Sequence, residues 1–129
     1  MASILKVDDL RGNTAAGNIT ITSEGGAATM QLQQGLTKAW LRGTTSAGIG
    51  DSLNISSGTD NGTGDLSYAT TNPFTSVEYA NEWTVYTTAE RIATRNDSRD
   101  AAGVLAIEIF NAASLSDNPH NGTADGDLA

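Results

Sequence analysis

Ser52-Leu53-Asn54-Ile55-Ser56-Ser57-Gly58-Thr59-Asp60-Asn61-Gly62-Thr63-Gly64-Asp65-Leu66-Ser67-Tyr68-Ala69-Thr70 is the stretch that decides the fold class. Apolar and polar residues alternate over 52–56 and again over 65–70. A period of two turns one face of a strand to a core and the other to water. Between the two runs lie Gly, Thr, Asp and Asn, and the Asn61-Gly62 step suits positive φ. The stretch predicts two strands joined as an antiparallel hairpin with a longish loop.

The same grammar continues outward. Upstream, 38–42 reads as a strand with Trp40 as its large aromatic anchor, followed by a Gly/Ser/Thr loop over 43–50. Downstream, Asn72-Pro73 breaks the pattern, and residues 77–79 and 83–87 supply two more strands. The strongest run is 104–110: Leu105, Ile107 and Ile109 share one face, and Val104, Ala106 and Phe110 share the other with Glu108. Near-continuous apolarity predicts a strand covered on both faces, by a sheet and by a neighbouring subunit. Residues 88–100 read either as a short helix around 89–93 or as an exposed strand and turn. About seven such strands indicate an all-β fold, a small β-sandwich or jelly-roll-like domain over 36–110. Residues 111–129, polar with a single His, are expected as an irregular loop or an extended arm.

Residues 1–35 are thinner. Strands are expected at 3–7, 18–22 and 28–33, with turns at 8–13 and 24–26. Each carries two or three large apolar side chains, and a free-standing hairpin of this kind is marginal in water. Packed against the same segment of other copies, Ile4, Val7, Leu10, Ile19 and Ile21 are expected to line a shared oligomer interface. The competing reading is a flexible tail that docks on another protein.

Composition points to self-association. Ile, Leu, Val and Phe together make 24 of 129 residues, or 19%, at a net charge of −8. That fraction sits near the border at which chains fail to offset their own ordering entropy. Association with further copies supplies the missing contacts by mass action. Seven basic against fifteen acidic residues, with no basic run, exclude the Lys/Arg chemistry of nucleic-acid binding. The absence of Cys removes disulfides and thiolate metal sites. The start Met1-Ala2-Ser3-Ile4-Leu5-Lys6 lacks the apolar stretch of a signal peptide or a membrane span. Synthesis in a cytoplasm and no membrane insertion are therefore expected.

Chemistry is sparse. His120, in Asn118-Pro119-His120-Asn121-Gly122, reads as a solvated turn rather than one member of a triad, and zinc needs several such ligands. The Asp60–Asp65 loop is dense in oxygen, but counting from Asp60 puts Thr71 at the twelfth position, where an EF-hand needs Glu. Asp117, Asp125 and Asp127 form a loose carboxylate set better read as solvated. No cofactor is expected. Glu78, Glu82 and Glu90 show no telling spacing for glycoside cleavage. Trp40, Trp83, Tyr68, Tyr79 and Tyr86 suit either a core or a sugar-stacking platform, and with so few aromatics most are expected in the core. Thr59, Asp60, Asn61 and Thr63 are the candidate surface-recognition loop.

Two stretches carry a resemblance. Ser3-Ile4-Leu5-Lys6-Val7-Asp8 followed by a Gly-Asn turn resembles the opening of tail-fibre-like structural proteins of marine bacteriophages. Lys38-Ala39-Trp40, then 51–57, and above all Thr59-Asp60-Asn61-Gly62-Thr63-Gly64-Asp65 are similar to a β domain of the same proteins, in the same order. The likeness covers roughly residues 3–10 and 38–70, and it departs after Pro73 and in the polar stretch beyond Phe110. It implies a setting and no active site: a β-rich, non-enzymatic virion surface protein, a homotrimer contacting capsid or tail proteins. A short fibre or a capsid or tail decoration fits the length. The alternatives are a glycan-binding host-recognition module and a small glycan depolymerase.

Overall fold

The computed structural model describes residues 4–13, 19–22, 26, 29–32, 35–87, 92–96 and 98–129, and every regular element among them is a β-strand. The chain divides into two compact units, Met1–Leu36 and Thr37–Ala129.

In the first unit β1 (Thr20–Thr22) and β2 (Thr29–Gln31) pair antiparallel, with Ile21 opposite Met30. Residues 4–7, expected as a strand, form no strand among the described residues. Ser3, Asn18, Glu24, Gly25, Ala28 and Gln33, which belong to the expected strands and turns, lie outside the described residues.

The second unit is an all-β fold of packed antiparallel sheets, a small β-sandwich. In chain order its strands are β3 (Ala39–Gly43), β4 (Ile49–Leu53), β5 (Ile55–Gly62), β6 (Asp65–Thr70), β7 (Ala80–Val85), β8 (Ile92–Arg95), β9 (Val104–Asn111), β10 (Ser114–Leu115) and β11 (His120–Asp125). One sheet runs β4-β3-β11-β7; the other runs β10-β9-β6-β5, with β8 also paired to β9. The core between them is made by Leu41 and Ala39 from one sheet and Leu66, Tyr68, Leu105, Ile107 and Ile109 from the other, closed at one end by Phe74 and Tyr79. Phe74 and Tyr79 stack with ring centroids 4.5 Å apart.

Three expectations are corrected here. The run 52–56 is not one strand. It breaks at Asn54, which sits at φ 61°, and there the chain leaves one sheet for the other. Asn tolerates the left-handed region better than most residues, and its amide pins the corner: Asn72 N–H donates to Asn54 Oδ1 at 2.7 Å, and Asn54 Nδ2 donates to the Asn72 carbonyl at 2.9 Å. The hairpin loop is also shorter than expected. Residues 58–62 belong to β5, and only Thr63-Gly64 connect it to β6. Within the Asn61-Gly62 step positive φ falls on Gly62 (φ 138°) and not on Asn61, and Gly64 in the turn has φ 68°. Third, Trp40 is not the anchor of its strand. Ala39 and Leu41 face the core, and Trp40 stays 36% exposed on the outer face.

The C-terminal stretch carries the largest correction. Residues 111–129 are no arm: β11 lies inside the four-stranded sheet, flanked by β3 and β7 along its length. His120, Gly122 and Ala124 point inward and are buried, while Asn121, Thr123 and Asp125 point out. The inward face is small because large rings fill the space beneath it. A Cβ on Gly122 would sit 2.3 Å from two ring carbons of Trp83. We expect Gly122→Ala to cost about 1–3 kcal/mol by over-packing, read as a lower urea midpoint with an unchanged m-value.

The near-continuous strand 104–110 is covered as follows. Leu105, Ala106, Ile107 and Ile109 are buried, and Val104, Glu108 and Phe110 are half-buried. Of the expected segment 88–100, residues 88–91 and Asp97 lie outside the described residues, and 92–95 form strand β8.

Candidate functional site

Among the buried polar groups of the described residues, the His120 ring and the Asp100 carboxylate both answer structural needs. His120, expected in a solvated turn, is fully buried. Its Nδ1 lies 2.9 Å from the Asn118 carbonyl and its Nε2 2.7 Å from the Tyr68 hydroxyl. A carbonyl only accepts, so Nδ1 carries the proton, and Nε2 accepts from the Tyr68 O–H. Burial lowers the His120 pKa from its ordinary value, with the Asn118 carbonyl acting weakly in the other direction. Burial, and secondarily the negative charge of Asp60, raises the Tyr68 pKa, so the phenol remains a donor. Both rings pack near Trp83, with centroids 6.2 Å from Tyr68 and 6.0 Å from His120.

The second group is Asp100, whose side chain is 1% exposed. It accepts from the Tyr79 hydroxyl and, at 3.2 Å, from the Ala106 backbone N–H. Its other oxygen faces Arg95 Nε as an ion pair. Arg95 in turn donates to the Val77 carbonyl at 2.8 Å and lies over the Tyr79 ring at 4.8 Å. A shallow depression of about 320 Å³ opens here, lined by Val77, Glu78, Arg95 and Asp100.

A different surface faces solvent. The outer face of the four-stranded sheet is fixed by register: Leu53, Trp40, Thr123 and Glu82 make one row across the strands, and Asp51, Arg42, Asn121 and Thr84 make the next. Residues directly opposite on neighbouring strands have Cβ atoms about 4.5–5.5 Å apart, so each row is a contiguous strip. Glu82, Thr84, Asn121 and Thr123 surround a cavity of about 140 Å³ over the Gly122 backbone. From within the second row, Arg42 Nε donates to the Tyr86 hydroxyl at 3.3 Å, and its guanidinium lies 5.7 Å from the Tyr86 ring centroid. That hydrogen bond, and then the Tyr86 charge, raise the Arg42 pKa from its ordinary value.

The expected site residues are distributed unevenly. Thr59, Asp60 and Asn61 lie in β5 and Thr63 in the turn after it. Asp60 Oδ1 accepts from the Gly62 N–H at 3.0 Å, and half-buried Asn61 donates to Ser67 Oγ at 3.1 Å. Asp65 accepts from Asn96 at 3.2 Å and from Arg99 Nε at 2.8 Å. Asn61 thus joins β5 to β6, and Asp65 ties the hairpin to the segment after β8. Among the described residues no three His, Asp or Glu side chains gather as a metal site. Asp117 accepts from the Gly64 N–H at 2.5 Å, tying the hairpin turn to the loop before β11.

Ile4, Val7, Leu10 and Ile21 are 79, 54, 51 and 46% exposed, and Ile19 is half-buried. Of the five Trp and Tyr residues, Tyr68 and Tyr79 are buried, Trp83 is half-buried, and Trp40 and Tyr86 face out. Glu82 is on the outer sheet face and Glu78 in the depression beside Arg95; Glu90 lies outside the described residues. The outer strip went unread in sequence. Its signal was the alternation Trp40/Arg42 against Ala39/Leu41, whose parity is visible but whose inward face is not.

No protein-family model matches the chain, and no significant match was found among curated proteins or solved structures.

Proposed function

We propose that the chain is a non-enzymatic structural protein of a bacteriophage virion, a short fibre or a capsid or tail decoration. In this reading the unit Thr37–Ala129 is the displayed body, and Met1–Leu36 joins it to further copies and to the particle. One observation supports this above the others: the distribution of large apolar side chains. In the second unit Leu41, Leu66, Leu105, Ile107 and Ile109 are buried within their own chain. In the first, Ile4, Leu5, Val7, Leu10, Ile21, Met30 and Leu36 are each between 46 and 79% exposed. Apolar area in water is unfavourable by roughly 25 cal/mol per Å², and a segment of this kind gains most from being covered. The second unit exposes Ile92, Leu53 and Val77 as well, but it has a core of its own, whereas none of the described apolar residues of the first unit is buried, which favours the first 36 residues as the place of self-association. A closed ring of three copies covers such a segment symmetrically.

Light scattering on the full chain tests this. A trimer has three times the 13.3 kDa of one chain, and Ile4→Asp combined with Val7→Asp should reduce it to a monomer while thermal melting of the sandwich is unchanged. A folded wild-type monomer over a wide dilution range overturns the reading. The virion setting is checked separately, by recovery of the chain with purified particles at fixed copy number.

A further inference from the structure

We propose that the outer face of the sheet β4-β3-β11-β7 is a binding site for a neutral glycan, with one pyranose edge in the cavity bounded by Glu82, Thr84, Asn121 and Thr123 and the neighbouring sugar face on Trp40. This stands independently of the virion reading and moves recognition away from the hairpin residues 59–63, where Asn61 is engaged with Ser67 and Asp60 with the Gly62 N–H.

The composition of the strip selects the ligand class. Glu82 offers two acceptor oxygens, Asn121 a donor and an acceptor, and Thr84 and Thr123 a hydroxyl each. Vicinal sugar hydroxyls, each donor and acceptor, match such a set, and the floor of the cavity is the Gly122 backbone. At about 140 Å³ it is smaller than the roughly 300 Å³ at which drug-sized pockets begin, so it takes the edge of one ring rather than a whole ligand. Trp40, directly opposite Thr123, lies one strand away on the same face and is 36% exposed. An aromatic face with a polar edge suits a wet, partly apolar ligand, as the C–H face of a pyranose is.

Charge argues for a neutral ligand. The strip carries Glu82 and Asp51 with Asp125 beyond them, and its one cation, Arg42, is turned onto Tyr86 opposite Asp51. A chain of net charge −8 repels uronate and sulfated sugars further. A protein partner fits less well: the centre of a protein interface is apolar and depleted of charge, whereas Trp40 and Leu53 are the two large apolar residues among the eight in these rows.

The full chain is to be titrated with neutral gluco-, galacto- and manno-configured oligosaccharides, and in parallel with oligouronates and sulfated oligosaccharides. The readouts are Trp fluorescence and backbone amide shifts. Saturable binding of at least one neutral series is expected, with shifts confined to β3, β7 and β11. Trp40→Ala should weaken it about tenfold and abolish the fluorescence change, while Thr59→Ala leaves it unaltered. Asn121→Ala with Thr123→Ala, both outward-facing and thus compatible with folding, should weaken it by at least as much. No saturable binding to any neutral series, preference for the acidic sugars, or binding indifferent to both the Trp40 and the Asn121/Thr123 variants each overturns the proposal.

Discussion

Asp100→Ala is expected to lower the stability of the sandwich by about 3–5 kcal/mol, the range found when one member of a buried ion pair is removed. Three consequences act together. β8 ends its ladder with Arg95 opposite Ile107, and the Asn96 N–H still reaches the Ala106 carbonyl at 3.0 Å. The Ala106 N–H, on a fully buried residue, has passed beyond the strand and takes the Asp100 carboxylate as its acceptor. Truncation leaves that N–H and the Arg95 guanidinium without their carboxylate and takes from the Tyr79 hydroxyl one of its partners, the Val104 carbonyl at 3.1 Å remaining; a stranded buried polar group costs about 1–3 kcal/mol. Arg95 is 29% exposed, so water recovers part of its share, which keeps the total in the stated range rather than above it. Total stability of a domain this size is about 5–15 kcal/mol, so the variant should melt more than about 10 °C lower. Asp100→Asn, which keeps an acceptor for Tyr79 and Ala106, should lose less. Adding Arg95→Met to Asp100→Ala should regain part of the loss, because the unpaired charge disappears. A loss under about 1 kcal/mol in Asp100→Ala would show that the ladder end is satisfied otherwise.

Why this junction escaped the sequence is instructive. Residues 88–100 carry Glu, Arg and Asp at a density that reads as a solvated edge, and nothing local indicates that one of those carboxylates finds a phenol 21 residues upstream. β9 was legible for the opposite reason: Leu105, Ile107 and Ile109 bring their own apolar volume and need no partner to be recognised. β6 was legible by the alternation of Leu66 and Tyr68 with Asp65 and Ser67. β11 was not, since the inward set His120, Gly122 and Ala124 contains no large apolar side chain. Its core volume is contributed by Trp83 and Tyr68 from other strands, and hydrophobic periodicity reads only what a strand itself supplies. Asn54 illustrates a third limit. Alternation carried straight through it, although the conformational tolerance that makes Asn a sheet-switching corner is a property of that residue type. On the outer face, Trp40 drew attention by size, yet Ala39 and Leu41 had the parity that packing required, and Arg42 became intelligible only once Tyr86 stood beside it.

His120→Ala should cost a similar amount, about 3–5 kcal/mol, and in addition change the pH dependence. The substitution removes a fully buried aromatic ring, and truncations of buried aromatics to Ala cost in this range. It also strands the Tyr68 hydroxyl and one face of the Asn118 carbonyl. Tyr68→Phe, which removes the donor and keeps the ring, isolates the hydrogen bond and should cost about 1–3 kcal/mol, leaving Nε2 buried and unpaired. In the wild type the folded state holds His120 neutral, with a pKa below the ordinary value near 6.5. Between that lowered value and about 6.5 the unfolded chain binds the proton and the folded one does not, so stability rises with pH there. The contribution is complete above about pH 6.5 and is lost as pH falls through the folded-state pKa. Protonation also converts Nε2 into a donor aimed at the Tyr68 oxygen, which must then release its own hydrogen into an apolar neighbourhood. As His120 is the chain's one His, the part of the slope just below pH 6.5 that disappears when it is replaced belongs to it. Chemical denaturation at a series of pH values should show wild-type stability falling below about pH 6.5, and His120→Gln should be flat through the same window. A wild-type curve without that slope would mean that the folded state binds the His120 proton as readily as the unfolded chain does, and stability falling as pH rises through the window would mean a ring charged when buried, with the Tyr68 oxygen accepting rather than donating.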